Sequence, residues 1–240
     1  MKIRVGHLYP DRLNIYADRG NIAVLAARAA ARGQELEVTP IGLGDDVPEA
    51  DLFYVGGGQD REQALVAPDL VAKGPALHQA VARGAAFLAV CGGYQLLGRF
   101  YRDRAGAELP GIGLLPLHTV AGDRRMIGDV LLDCAWAGQT LAGFENHAGR
   151  TFLDKGAEPL GRVIAGFGND GVSGQEGCRQ GRVYGTYLHG PLLPRNPWLA
   201  DRLLADALGG EVELQPLPDE LENEAHAVSA QRARARGGRR

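Results

Sequence analysis

The sequence predicts an α/β fold: a parallel sheet with helices on both faces, then a β-rich second half. Three observations carry this. Short apolar runs alternate with Ala- and Leu-rich helical stretches through the N-terminal half. The run Ala85 to Val90 is apolar throughout, as expected of a strand buried on both faces. From about Pro110 to Val183 the chain becomes Gly-rich, with alternating runs joined by turns.

The elements follow in order. Ile3 to Leu8 reads as the first strand. Asn21 to Ala31, NIAVLAARAAA, has good helix propensity and stops at Gly33. Leu36 to Ile41 alternates as a strand does, and Asp51 to Val55 is a short aromatic and β-branched run that ends at Gly56-Gly57-Gly58. Arg61 to Ala67 and Asp69 to Arg83 read as helical, broken by Pro68 and weakened at Gly74-Pro75. After Cys91-Gly92-Gly93, Tyr94, Leu97 and Tyr101 stand at helical spacing, predicting a helix from Tyr94 to Tyr101. The second half offers strands at Ile127 to Leu132, Leu160 to Phe167 and Arg182 to Leu188, then an amphipathic helix from Pro197 to Leu208. With no repeat and no linker, residues 1–210 read as one domain, and residues 211–240 as a peripheral segment with an Arg-rich tail.

Composition narrows the class. The chain has 240 residues, 45% hydrophobic and 23% charged. That is long enough to bury a sizeable core without disulfides or metals, and it excludes a collagenous or disordered chain. No stretch approaches the ~18 apolar residues of a membrane helix. The first residues contain acids and turn formers and lack an apolar core, so no secretory signal is expected and a cytoplasmic address is the default. Three widely spaced cysteines, Cys91, Cys134 and Cys178, fit neither a disulfide framework nor a zinc site. The last ten residues carry five Arg; without them 21 basic residues face 29 acidic ones. A basic end on an acidic body is not the footprint of a nucleic-acid binder. It reads as a solvated terminus.

The strongest chemical signal is Phe87-Leu-Ala-Val-Cys91-Gly92-Gly93-Tyr94-Gln95. An apolar strand runs into a Cys, two glycines and a helix, which is the geometry of a nucleophile elbow. A helix N-terminus favours thiolate over thiol. The competing reading is a small buried hydrophobe, the commonest fate of a free Cys. A second signal is Gly56-Gly57-Gly58-Gln59-Asp60 at a strand end. It lacks the Lys-Ser/Thr of a phosphate-binding loop, and it can offer an oxyanion donor from Gly57 or Gly58 beside the N–H of Gly92. The third is Gly185-Thr-Tyr-Leu-His189-Gly190-Pro191, which delivers a histidine to a strand end. A Cys nucleophile needs such a base, distant in sequence and near in space. Among the other histidines, His147 in Phe144-Glu-Asn-His147 is the serious rival.

Together these motifs resemble the class I glutamine amidotransferases, whose Cys-x-Gly-x-Gln corresponds to Cys91, Gly93 and Gln95. The fold implied is class I amidotransferase-like, flavodoxin-like in its sheet. Within the class the chain resembles the cobyric-acid-synthase-like branch. His7-Leu-Tyr-Pro-Asp-Arg-Leu-Asn14, Gly56 to Gln63, Gly143-Phe-Glu-Asn-His147 and Gly185 to Pro191 narrow it further, to the glutaminase subunits of lipid II isoglutaminyl synthases. The resemblance implies a cysteine-dependent glutaminase that supplies ammonia to a Mur-ligase-like (MurT-type) partner in a heterodimer. That partner would use ATP and Mg to amidate D-glutamate of the stem peptide, with no cofactor in this subunit. It implies Cys91 as nucleophile and His189 as base. Arg125, in Arg125-Met-Ile-Gly-Asp129, and Gln95 become substrate-binding residues, and Gly57, Gly58 and Gly92 line the oxyanion site. The class usually places a Glu two residues after the histidine, where this chain has Pro191. The sequence therefore fits a Cys–His dyad or an orienting group from elsewhere, Glu145 and Asp18 both being possible. Two alternatives stand beside this reading: an amidotransferase serving a corrinoid-type ligase, and an inactive amidotransferase-like scaffold.

Overall fold

A computed structural model describes residues 1–15, 18–210 and 212–237. In chain order the first half holds β1 (Lys2–Leu8), α1 (Arg19–Ala30), β2 (Glu35–Ile41), β3 (Leu52–Val55), α2 (Asp60–Ala82), β4 (Ala86–Val90) and α3 (Gly92–Leu97). The second half holds β5 (Phe100–Arg102), β6 (Glu108–Pro110), β7 (Leu117–Cys134), β8 (Gln139–Leu153), β9 (Gly161–Ala165), β10 (Gln175–Glu176), β11 (Cys178–Gln180), β12 (Val183–Thr186), a 3-10 turn at Leu193–Arg195, α4 (Pro197–Ala207) and α5 (Glu220–Gly237).

Two sheets result. The first has the order β11-β12-β4-β3-β1-β2, and all its pairs are parallel except β11 with β12. Its central strands are apolar because helices cover both faces. Phe53, Tyr54, Phe87 and Leu88 have no exposed surface. The order places the carboxyl ends of β12, β4, β3 and β1 side by side. Open α/β sheets bind their ligands in the crevice at that end. The second sheet runs β10-β9-β7-β5-β6, with the long β8 paired to β7. Its inner face joins the first sheet: Leu117, Val130, Leu132 and Leu141 belong to the same buried cluster as Phe87 and Leu88.

The structure corrects three expectations. Pro68 does not break α2, which runs unbroken from Asp60 to Ala82 through Pro68 and Pro75. Each proline removes an N–H and crowds the preceding turn. Burial of Val66, Ala67, Leu70 and Leu77 on one face holds the helix together regardless. The helix after Cys91 stops at Leu97, because Gly98 is extended and lies against Leu117, leaving Tyr101 on β5. The Arg-rich end is not a frayed tail through its described length. It forms α5, whose Ala230 and Ala233 are buried with Leu131, Ala142 and Ala165 of the second sheet. Small side chains let this polar helix approach the sheet closely. Among the described residues no helix is long and apolar enough to cross a membrane.

Candidate active site

Four strand ends converge. Cys91 follows β4 and stands at φ +49°, ψ −106°, one of two non-glycine residues with positive φ among those described. A left-handed φ costs a non-glycine residue of order 1–3 kcal/mol and persists only where the surroundings impose it. Here Cys91 N–H donates to Thr186 O at 2.8 Å, and Cys91 O accepts from Gln95 N–H at 3.0 Å as α3 begins. The elbow is thus pinned on both sides, with the side chain at the mouth of a helix.

His189 lies three residues beyond β12 and is 1% exposed. Its backbone N–H donates to Phe144 O on β8 at 2.7 Å, which holds the loop across the sheet gap. Arg195 Nη2 donates to Gly190 O at 2.8 Å and braces the same loop from the 3-10 turn. Burial pushes the imidazolium toward its neutral form, but the Cys91 thiolate, reinforced by Asp18, overcomes this and carries the His189 pKa up to about 10. His189 is therefore held as an imidazolium facing the Cys91 sulfur at neutral pH, an arrangement suited to a cysteine nucleophile.

The glycine loop after β3 completes the site. An added methyl on Gly57 would lie 2.7 Å from His189 Cε1 and 3.3 Å from Cys91 Cβ. One on Gly92 would lie 2.9 Å from Gly58 N. Only glycine admits this approach. The structure corrects one detail: the Gly57 N–H is already donated to Asp18 Oδ2 at 2.7 Å. Gly57 thus spaces the site rather than offering its N–H to an oxyanion. Gly57→Ala is expected to lower turnover at least 10-fold with little change in melting temperature, since the methyl strikes the histidine rather than the core; steady-state rates and a thermal melt check this.

These residues open on a cleft of about 600 Å³, lined by Cys91, Gln95, Arg125, Asn146, His147 and His189 among others. Arg125, on β7, donates from Nε to Asn146 Oδ1 at 3.0 Å. Its guanidinium is exposed at the rim, where it can take a carboxylate in bidentate fashion. Gln95 sits at the floor with both ends of its amide engaged. Its Oε1 accepts from Gln63 Nε2 at 2.7 Å, and its Nε2 donates to Tyr187 Oη at 3.0 Å. Gln63 and Tyr187 lie within the sequence motifs, yet nothing in the sequence assigned them this work.

His147 also lines the cleft, but its surroundings differ. Its Nδ1 meets Gly149 O at 2.9 Å, and its ring stacks on Tyr187 with centroids 3.5 Å apart. Glu145 Oε2 stands 3.7 Å from its Nε2. Burial dominates and lowers its pKa, leaving it neutral. Cys134 and Cys178 are fully buried, and burial pushes each thiol up to about 12, so neither is a nucleophile at neutral pH. Among the described residues no group of three or more His, Cys, Asp or Glu is arranged to hold a metal ion.

Comparison with known proteins agrees with this geometry. Residues 4–197 match the CobB/CobQ-like glutamine amidotransferase domain. Solved structures show the fold of class I glutamine amidotransferases: PurLQS from Thermotoga maritima superposes with a TM-score of 0.59 at 18% identity, over 88% of this chain and 97% of that one. The chain belongs to the CobB/CobQ-like glutamine amidotransferases and, within them, to the GatD family. It is 40% identical to the lipid II isoglutaminyl synthase (glutamine-hydrolyzing) subunit GatD of Staphylococcus aureus, over 96% of this chain and 94% of that protein. The GatD subunit of Streptococcus pneumoniae is 38% identical over 93% of this chain and 88% of its own length. The cobyric acid synthase of Synechococcus is 32% identical, but this chain spans only 36% of that protein.

Proposed function

We propose that this chain is the glutaminase subunit of a two-component lipid II isoglutaminyl synthase. The observation that carries the reading is the Cys91–His189 couple at adjacent strand ends, facing a cleft with the exposed Arg125 guanidinium at its rim. Matching of GatD subunits over nearly their full length supports the substrate class. The corrinoid-type alternative is less well supported, because cobyric acid synthases extend far beyond the region this chain matches.

The chemistry runs as follows. Arg125 pairs with the α-carboxylate of L-glutamine and sets the side-chain amide over Cys91. The Cys91 thiolate attacks the amide carbon, forming a C–S bond and pushing negative charge onto the carbonyl oxygen. The N–H groups of Gly58 and Gly92 stabilise that charge. His189, as imidazolium, gives its proton to the amide nitrogen, and ammonia departs as the carbonyl reforms as a thioester. Water, deprotonated by His189, then cleaves the thioester to glutamate and restores the thiolate. The ammonia passes to a Mur-ligase-like partner of the MurT type, which activates the α-carboxylate of D-glutamate in the lipid II stem with ATP and Mg and yields D-isoglutamine. The subunit itself uses no cofactor, and both proteins work in the cytoplasm on a membrane-bound substrate.

Reconstitution tests this. Purified chain, a Mur-ligase-like partner, ATP, Mg and lipid II should give glutamine-dependent amidation, and ammonium chloride should replace this chain in the reaction. Amidation that ignores glutamine would contradict the proposal. Arg125→Ala should raise KM for glutamine tenfold or more, about 1.4 kcal/mol or above, with a smaller change in kcat. Arg125→Lys should recover only part, because an ammonium cannot make the bidentate contact.

A further inference from the structure

We infer that the C-terminal helix α5 serves catalysis from outside the cleft: its docking is transmitted through Arg195 to the loop that carries His189. The inference rests on the catalytic reading of Cys91 and His189 given above, and it makes Arg195 a positioning residue. Gly190, next to His189, stands at φ +102°. Glycine has more conformational freedom than any other residue, so contacts from outside the loop must fix this backbone. Two do so. The His189 N–H donates to Phe144 O of β8, and Gly190 O accepts from Arg195 Nη2 at 2.8 Å. The second contact is only as well placed as the arginine.

α5 places the arginine. His226 and Ser229 stand three residues apart on one face of that helix. Ser229 Oγ accepts from Arg195 Nη1 at 3.3 Å. His226 Nδ1 meets Arg195 O at 2.9 Å and Asn196 Oδ1 at 3.1 Å. Both partners are acceptors, so Nδ1 carries the hydrogen. The other ring nitrogen, Nε2, meets Thr140 Oγ1 of β8 at 2.8 Å. Arg195 is thus held at its backbone by His226 and at its guanidinium by Ser229. None of these three residues lines the cleft. An effect of theirs on the chemical step has to pass through the loop.

The frame around the brace is firm. Among the described strands β8 pairs with β7 alone, so its outer edge needs other partners for its N–H and C=O groups. Trp198 Nε1 donates to Thr140 O at 2.9 Å. Asn196 Oδ1 accepts the Ala142 N–H at 2.9 Å, and its Nδ2 donates to Ala142 O at 2.8 Å. His189 takes Phe144 O, so α5, the 3-10 turn and the catalytic loop lean on alternate residues of one strand. α5 is fixed just ahead of its start by Asp219, which accepts from Arg28 Nη1 at 2.7 Å and Nη2 at 3.0 Å, and further along by Ala230 and Ala233. The helix lies beyond residues 4–197, which match the CobB/CobQ-like domain, so the element that sets Arg195 is not part of the matched domain.

The test measures glutamine hydrolysis by the full chain with its synthetase partner present. Arg195→Met keeps the aliphatic stem and removes the donors. Its kcat should fall about tenfold or more, because a small displacement of a reacting group is costly, with KM within about threefold. Arg195→Lys keeps a donor for Gly190 O and should recover part of the loss. His226→Ala should lower kcat about threefold or more, while Val228→Ala, exposed on the same helix, should leave it unchanged. The double variant Arg195→Met/His226→Ala should lose no more than Arg195→Met alone, because the helix acts through the arginine. Alkylation of Cys91 by iodoacetamide separates positioning from stability. It should require a higher pH in Arg195→Met and His226→Ala than in the parent, since a displaced imidazolium no longer favours the thiolate. Parent kcat and a parent alkylation profile in these variants, with or without a lower melting temperature, would overturn the inference. So would additive losses in the double variant, or a loss in Val228→Ala equal to that in His226→Ala. If Arg195→Met does not fold, Arg195→Lys and His226→Ala carry the same comparison. Cys91→Ala run in parallel separates the two readings. If that variant stays active, the catalytic assignment itself fails; if it is dead and the Arg195 and His226 variants keep the parent kcat, only the role of α5 and Arg195 fails.

Discussion

Cys91→Ala abolishes glutamine hydrolysis, leaving a rate lower than that of the parent by ~10³-fold or more. The residual reflects binding and oxyanion donors acting on water without a nucleophile. No other thiol can stand in, because Cys134 and Cys178 are sealed in the core with their pKa values raised to about 12. The same position offers a stability test. At φ +49° every non-glycine side chain is strained, and Ala inherits the strain while losing the thiol. Cys91→Gly should be equally inactive yet melt higher than Cys91→Ala. Relief of strain, about 1–3 kcal/mol, exceeds the ~0.5–1 kcal/mol entropic cost of glycine. A thermal melt in which Ala is the more stable would show that the elbow is not strained.

His189→Ala has the second-largest effect, a fall in kcat of order 10²–10⁴. His147→Ala keeps turnover within about tenfold and instead loses stability, because it removes the ring stacked on Tyr187. The reverse outcome would move the base to His147. The pH dependence has a definite sign. Folding raises the His189 pKa above its ordinary value of 6.5, to about 10, since the largest opposing effect, burial, is outweighed by the Cys91 thiolate and then by Asp18. The stabilising contribution of the charged histidine is therefore fully present below about pH 6.5. It is lost as pH rises through about 10. Turnover should follow the same alkaline fall, because ammonia departs only by taking the imidazolium proton. In Cys91→Ala the thiolate is gone, and the His189 pKa read by NMR should drop.

The nucleophile and its base were legible in the sequence for a physical reason. Cys91 sits where an apolar strand meets two glycines, and His189 where another strand meets Gly-Pro, so local pattern encodes local geometry. The parallel sheet was legible too, from apolar runs that leave no polar face. What the sequence left open depends on contacts between distant segments. Asp18 and Glu145 could not be ranked, because their partners, Gly57 and His189 for one, Gly168 and His147 for the other, are set by tertiary packing. The commitment of the Gly57 N–H to Asp18 has the same origin. Pro68 and Pro75 mislead for the complementary reason: buried contacts along α2 override an intrinsic penalty that the sequence states clearly. Of the 18-residue β7 only the run Ile127 to Leu132 reads as a strand, and the 15-residue β8 does not read as one, although its burial alternates along much of its length; its small and polar residues, such as Gly143, Glu145, Asn146 and Gly149, hide that alternation in the sequence.

The most direct measurement is covalent trapping. The chain, with its partner present, is treated with an electrophilic glutamine analogue such as 6-diazo-5-oxonorleucine, digested, and mapped by mass spectrometry. The account predicts one adduct, on Cys91, blocked by excess glutamine and weakened by Arg125→Ala. An adduct on Cys134, Cys178 or His147, or no adduct while glutamine is still being hydrolysed, would contradict it.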